Sequence, residues 1–513
     1  MRDVGDWLTA SGEKGSVFWV LVAAILGSSM VFIDGTVVNV ALPALQAGLH
    51  ATLSDVQWVV EAYALFLAAL LLVGGSLGDL YGRRKIFLAG TLLFAGASVW
   101  CGFAPDIHHL IAARSLQGIG GALLVPGSLA LISTSFSAED RGRAIGTWSG
   151  FTAITASIGP VVGGWLVQHG SWRWVFFLNV PIAIAVVSIC LLRVAQDRVD
   201  QQSPAHLDWA GAALATIGLG GVVFALIEWT RGGWVVWSAA GIGLAALLGL
   251  AFVEQRVPSP MLPFQLFRSR NFAGANLLTL FLYAGLGGVL FFFPLDLIQV
   301  QHYSATQAGA ALLPLIVLIF LLSRWSGGLV ARFGAKPPLI IGPLIAAVGF
   351  ALFAVPPMGH SYWAMFFPAV ITLGLGLAIA VAPLTTTVMG AVPQSRVGVG
   401  SGINNAVSRV ASLLAVAVLG LLLSTSFNHS LDQRLDSLRL PPAVREKIDS
   451  QKPQLAAIQS DNPAIRAAVA AAFLDGYRRV QWLAAALAVL SAITAALLIR
   501  SDPRSESNSK TSP

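Results

Sequence analysis

Fourteen long apolar stretches run through the 513-residue chain, and they fix its solvent. The first spans residues 17–43 and the last residues 480–499. Each is long enough to cross a hydrocarbon core about 30 Å thick at about 1.5 Å per helical residue. Lipid offers a backbone amide no partner, so each stretch must satisfy its own amides and is therefore a helix. The expected fold class is all-α: an integral membrane bundle of fourteen transmembrane helices. Its function must rest on the few polar groups inside that bundle.

The charge content agrees. Charged residues make up 11% of the chain and apolar residues 56%, against about 25% charged in a soluble domain. The net charge of +7 could suggest nucleic acid, but its placement argues against that partner. With the N-terminus in the cytoplasm, the inner loops and the two tails hold eighteen Lys and Arg. The short outer loops hold only Arg173 and Arg231. This asymmetry orients membrane proteins, so the basic excess is read as topology, with both termini cytoplasmic. Cys101 and Cys190 both fall in apolar spans and suggest neither a disulfide nor a metal site. The polar start leads directly into a full-length span, so no cleavable signal is expected.

The helices are placed at 17–43, 54–78, 84–103, 107–135, 141–168, 172–193, 209–229, 234–254, 271–300, 304–331, 337–356, 362–391, 396–423 and 479–500. Expected domains are a cytoplasmic tail (1–16), a first six-helix half (17–195), two inserted helices (209–254), a cytoplasmic linker (255–270), a second half (271–500) and a disordered cytoplasmic tail (501–513). The second half includes an outer loop, 424–478, the one long polar segment. Helical apolar spacing at Leu431, Leu435 and Leu438, and at Ile465, Val469 and Phe473, predicts an amphipathic cap there. A gating or partner-binding hairpin is the alternative. A weak repeat links the halves: Gly75, Asp79 and Gly82 after the second helix match Gly327, Ala331 and Gly334 after the tenth. Repeated halves around a midplane site are common among secondary transporters.

Several runs carry a family resemblance. Residues 33–43, with Asp34, Thr36, Asn39 and Pro43, resemble the first-helix motif of the fourteen-span drug:proton antiporters of the major facilitator superfamily. Gly75 to Lys85 resembles the superfamily's loop 2–3 motif, and Leu110 to Gly121 is similar to its helix-four motif. Ser157 to Gly164 resembles the antiporter motif of helix five, and Trp172 to Pro181 is typical of the same branch. The resemblance implies two pseudo-symmetric six-helix halves plus two inserted helices. It also implies proton-coupled multidrug efflux, of the kind that gives antibiotic resistance, across the cytoplasmic (inner) membrane. It assigns Gly75, Asp79, Gly82, Arg83, Arg84 and Arg143 to a latch that holds the outward-facing state. It assigns Gly159, Pro160, Gly163 and Gly164 to a helix that seals the outer half. Two positions depart from the pattern: Leu80 stands where a basic residue is usual, and Thr155 where Gly is usual. With Ala331 in the second copy, the latch is expected to be one-sided.

Independently of that resemblance, an ionisable group deep in a span costs about 2.5–3.5 kcal/mol and usually faces a polar cavity. Asp34 lies nine residues before Pro43, about 13 Å below the outer helix end. Glu61 and Arg114 each lie seven residues into descending helices, about 10 Å deep. Two acids beside one base in low dielectric can share one exchangeable proton. Asp34 or Glu61 is therefore expected to carry a coupling proton, with Arg114 tuning its affinity. The bland alternative is a static ion pair. Gly159-Pro160 and Gly163-Gly164 allow a kink and close helix contact whatever their role. Asp296 and Arg409 are second-rank candidates. Seven of the eight histidines fall in the outer half without metal spacing.

The expected partners are a small-molecule substrate, protons and the lipid bilayer, and the expected state is a monomer. No nucleotide loop, nucleophile–base pair or metal cluster is evident, so no enzyme activity and no cofactor are expected. The rivals to efflux are a narrow-specificity metabolite transporter of the same superfamily and a non-transporting membrane receptor.

Overall fold

A computed structural model describes residues 13–195, 208–257, 263–355, 361–393, 397–438 and 440–500. The expected tails beyond residues 13 and 500, and part of the 255–270 linker, lie outside these. The described residues are helical and include no strand. Among the described residues fourteen helices are long and apolar enough to cross a membrane. They are α1 (Glu13–Leu49), α2 (Leu53–Tyr81), α3 (Arg83–Phe103), α4 (Ile107–Ser135) and α5 (Ala138–His169). Helix α6 is broken into Trp174–Phe177 and Asn179–Arg193, and α7 (Trp209–Ile227) and α8 (Gly233–Glu254) follow. Helix α9 (Arg270–Leu295) continues into a π turn, Asp296–Val300. Helix α10 has three pieces, Ala305–Ala310, Leu313–Gly327 and Leu329–Phe333. Then come α11 (Lys336–Phe353), α12 (Tyr362–Gly390), α13 (Val397–Ser437) and α14 (Pro463–Leu498).

The chain divides into two compact units. Of the described residues, the first takes those within 1–49, 58–222 and 238–261, and the second those within 50–57, 223–237 and 262–513. Within the first unit α1 packs on α5 and α3 on α4, with small residues at the contacts. A Cβ on Gly120 would lie 2.7 Å from the Phe94 nitrogen, so those two helices touch backbone to backbone. Helices α7 and α8 pack on each other through Gly221, whose Cβ would meet the Ala239 carbonyl oxygen at 2.7 Å. Within the second unit α9 packs against α13 and α14, and α11 against α12 and α14. Phe291, Phe292 and Phe293 are buried there, and Phe293 contacts Phe353 with ring centroids 4.9 Å apart.

The two halves of the sequence repeat share one backbone device. Gly82 (φ 99°) ends α2, and Gly334 (φ 76°) ends the last piece of α10. Both turns require positive φ, which a side chain opposes, so glycine is the residue that fits both places.

The largest difference from the sequence expectation concerns 424–478. Helix α13 does not end near 423 but runs to Ser437, and α14 begins at Pro463 rather than near 479. The apolar stripe continues past the span: Leu431, Leu435, Ile465, Val469 and Phe473 are all buried. These extensions and a short helix, Pro442–Gln451, form the cap. Several of its charges pair with one another. Arg445 binds Asp432, Asp436 and Asp449, and Lys452 reaches Asp432 and Asp449 at 2.6 and 2.7 Å. Burial pushes the Asp449 carboxyl up, but Lys452 and Arg445 outweigh it and hold the group below its ordinary value.

Candidate functional site

The helix-four motif places Arg114 and Gln117 on one face of α4, three residues apart. Both are buried, as is Asp34 on α1. The Arg114 guanidinium donates from Nη1 to Asp34 Oδ2 and, at 2.6 Å, to Gln117 Oε1. Its Nε donates to the Val59 carbonyl of α2 at 3.0 Å. Asp34 Oδ1 accepts from Gln117 Nε2 at 2.7 Å and from Asn179 Nδ2 at 3.2 Å. Both amides also donate to Ser98 Oγ on α3, at 2.8 and 3.2 Å. The guanidinium carbon lies 4.2 Å from the centroid of the Tyr63 ring, a cation–π contact in a desolvated setting. One ion pair therefore ties together α1, α2, α3, α4 and α6 of the first unit, and each oxygen of Asp34 has a donor.

Glu61 is equally buried but stands outside this network. Its Oε2 has no hydrogen-bond partner among the described residues. The geometry of α2 explains the separation. Val59 and Tyr63, four residues apart, both reach Arg114. Glu61 lies midway between them and so points from the opposite side of the helix. The sequence puts three charges at one depth, and the fold joins two of them. Gln117, Asn179 and Ser98 complete the site without having been candidates. Gln117 could have been found from its three-residue step from Arg114, and Asn179 from being an amide in an apolar span. Ser98 gives no such signal.

The helix-five glycines lie directly against the site helix. A Cβ on Gly159 would sit 2.3 Å from Thr36 Oγ1, and one on Gly163 2.3 Å from Val37 Cγ2. Thr36 Oγ1 also donates across this contact to the Ala156 carbonyl at 3.2 Å. Pro160 and Gly164 are buried in the same helix. Gly163→Ala is expected to destabilise the protein by about 1–3 kcal/mol through overpacking. Gly146→Ala, on the same helix with open space around it, should cost far less. Thermal unfolding in detergent compares the two, and equal losses would show that the α1–α5 contact is not tight.

Asp79 pairs with Arg83 one turn away, Oδ1 to Nη2 at 2.9 Å, and its side chain is 55% exposed. Gly75 and Gly82 flank it in sequence. Arg84 donates to the Leu191 carbonyl at 3.4 Å. The side chain of Arg143 lies outside the described residues. In the second unit Asp296 is fully buried at the π turn, and Arg409 is half-buried on α13. Among the described residues no three His, Cys, Asp or Glu side chains converge as a metal site would require.

A bundle of fourteen apolar helices with a buried carboxylate–guanidinium pair inside one unit defines a polytopic membrane protein of the transporter type. Residues 24–416 match the family model of the Major Facilitator Superfamily, and the chain belongs to that superfamily. It is 34% identical to the tetracenomycin C resistance and export protein of Streptomyces glaucescens, over 84% of this chain and 80% of that one. It is 33% identical to the multidrug resistance protein Stp of Mycobacterium tuberculosis, over 85% and 82% of the two chains. A solved bacterial homologue of the human lysosomal transporter Spinster, inward-facing and unoccupied, superposes with a TM-score of 0.67. That likeness spans 96% of this chain and 100% of the other at 19% identity, and it concerns the fold.

Proposed function

We propose that the chain exports small lipophilic or cationic compounds across the cytoplasmic membrane in exchange for protons, by alternating access. The observation that carries this reading is a contrast between two carboxyl groups in one unit. Asp34 is saturated by Arg114, Gln117 and Asn179, so its charge is stabilised where it stands. Glu61 is buried with an unpartnered oxygen, and a bare carboxylate there would be expensive. Glu61 therefore holds the exchangeable proton, and the Asp34–Arg114 pair holds the helices around it. Loss of the proton creates a charge that a cationic substrate or entering water can compensate. Reprotonation from the other side of the membrane removes that charge and releases the cargo.

The printed names of the relatives, one an export protein and one a multidrug resistance protein, support efflux as the direction. The concentration of Lys and Arg in the loops assigned to the inside supports cytoplasmic termini. The reading is tested by flux of chemically diverse compounds into inverted vesicles under an imposed pH gradient. Correctly inserted protein that moves none of them under any gradient would end it.

Asp79, with Arg83, Arg84 and Arg143, serves as the conformational latch. The exposed Asp79–Arg83 pair contributes only about 0–1 kcal/mol to stability. Asp79→Ala is therefore expected to leave insertion and thermal stability near wild type while slowing transport. Unchanged transport in that variant would remove the latch.

A further inference from the structure

The second unit holds a buried acid that the proposed mechanism does not use. Asp296 opens the π turn that ends α9, and none of its surface is exposed. Neither carboxyl oxygen is met at full hydrogen-bonding geometry among the described residues, and the Gln301 amide just past the turn is the side chain near enough to act on it as a donor. Facing elements add more unsatisfied polar atoms. On α14 the Tyr477 hydroxyl and both amide atoms of Gln481 are buried with no polar neighbour at full hydrogen-bonding geometry and little beyond each other to engage, in side chains no more than 1% exposed. Tyr477 and Gln481 are four residues apart and share one face of that helix. Asp296 lies close enough to Tyr477 to act on its hydroxyl electrostatically.

Such a concentration of idle polar groups is unusual, because buried polar atoms are nearly always paired. An ionised carboxylate in this place would have only the Gln301 amide and the Arg478 cation to offset the loss of water. A neutral carboxyl is both donor and acceptor, which suits a hydroxyl and an amide beside it. Arg478, next to Tyr477 on α14, is the cation in reach. Lys452, on the 3-10 segment packed against the π turn, is engaged by Asp432 and Asp449. His302 and Tyr303 follow the turn in sequence. The π turn itself is a rare element that marks functional positions, and rewinding it to an α turn would swing Asp296 relative to α14.

We propose that Asp296, with Tyr477 and Gln481 as its hydrogen-bonding partners, is a second proton-binding station, loaded in this conformation. Release breaks the carboxyl O–H bond and passes the proton to water that reaches the π turn. Its use in transport rests on the proton-coupled reading above, but its occupancy does not.

Infrared difference spectroscopy of the purified full chain in lipid tests it. A protonated carboxyl has a carbonyl stretch distinct from that of a carboxylate. In the Glu61→Gln background the band that remains at neutral pH is expected to fade as pH is raised. It should disappear when Asp296→Asn is added. Persistence of that band in the double variant, or its absence before Asp296 is replaced, would overturn the station. Tyr477→Phe provides a second measurement that leaves the carboxyl in place. It should shift the frequency of the band, and an unmoved band would also count against the assignment. The single Asp296→Asn chain keeps the two ideas apart, because a band surviving there belongs to Glu61 and its absence would indict only the Glu61 assignment.

Discussion

Glu61→Gln is expected to collapse pH-driven accumulation of substrate to the level of passive leakage. One pH unit is worth about 1.4 kcal/mol per proton. A gradient of about two units therefore sustains roughly a hundredfold concentration ratio for one proton exchanged against one neutral molecule. Glutamine keeps the size and hydrogen-bonding capacity of a protonated glutamate but cannot release a proton. The variant should fold, bind substrate and equilibrate it, with a final ratio near unity. The measurement is the steady-state ratio in reconstituted vesicles, compared with counterflow in the absence of a gradient. A Glu61→Gln protein that still concentrates substrate would move the coupling proton elsewhere.

Arg114→Met should be the most destabilising single change at the site. It leaves Asp34 charged and buried with the guanidinium gone, and it also strips the Val59 carbonyl and Gln117 of a donor. Breaking a buried pair by removing one partner costs about 3–5 kcal/mol, mostly for the abandoned charge. Asp34→Asn should cost a similar amount by leaving Arg114 unpaired. The double variant should lose much less than the two losses added, because no bare charge remains. Unfolding midpoints of the four chains in one detergent provide the cycle. Strictly additive losses would mean that the two groups are solvated separately and that the pair is not a unit.

The sequence makes the number of spans plain because lipid leaves the backbone so few choices. It is less informative about where helices stop. Helix α13 passes out of the apolar window at about residue 423 while keeping one buried stripe through Leu431 and Leu435, so hydropathy ends before the helix does. The π turn after α9 follows Pro294, which has no amide hydrogen for its own turn, but a proline alone does not announce the extra residue. The site shows a related limit. Counting residues along a helix gives depth, and it placed Asp34, Glu61 and Arg114 at one level. Direction around the helix comes from contrast between faces, and these spans are apolar nearly all round. Only the fold could separate Glu61 from Asp34. The amide partners of Asp34 were visible as residues in recognised motifs, but their joint target was not.

The length of α13 has a consequence beyond the membrane. Its 41 residues measure about 60 Å, twice the hydrocarbon thickness. A rod that long, unbroken from bilayer to cap, works as a lever: any tilt of its embedded part swings its watery end through a comparable arc. An antibody fragment gripping the cap from solution would thus act as a brake on the transport cycle without entering the lipid.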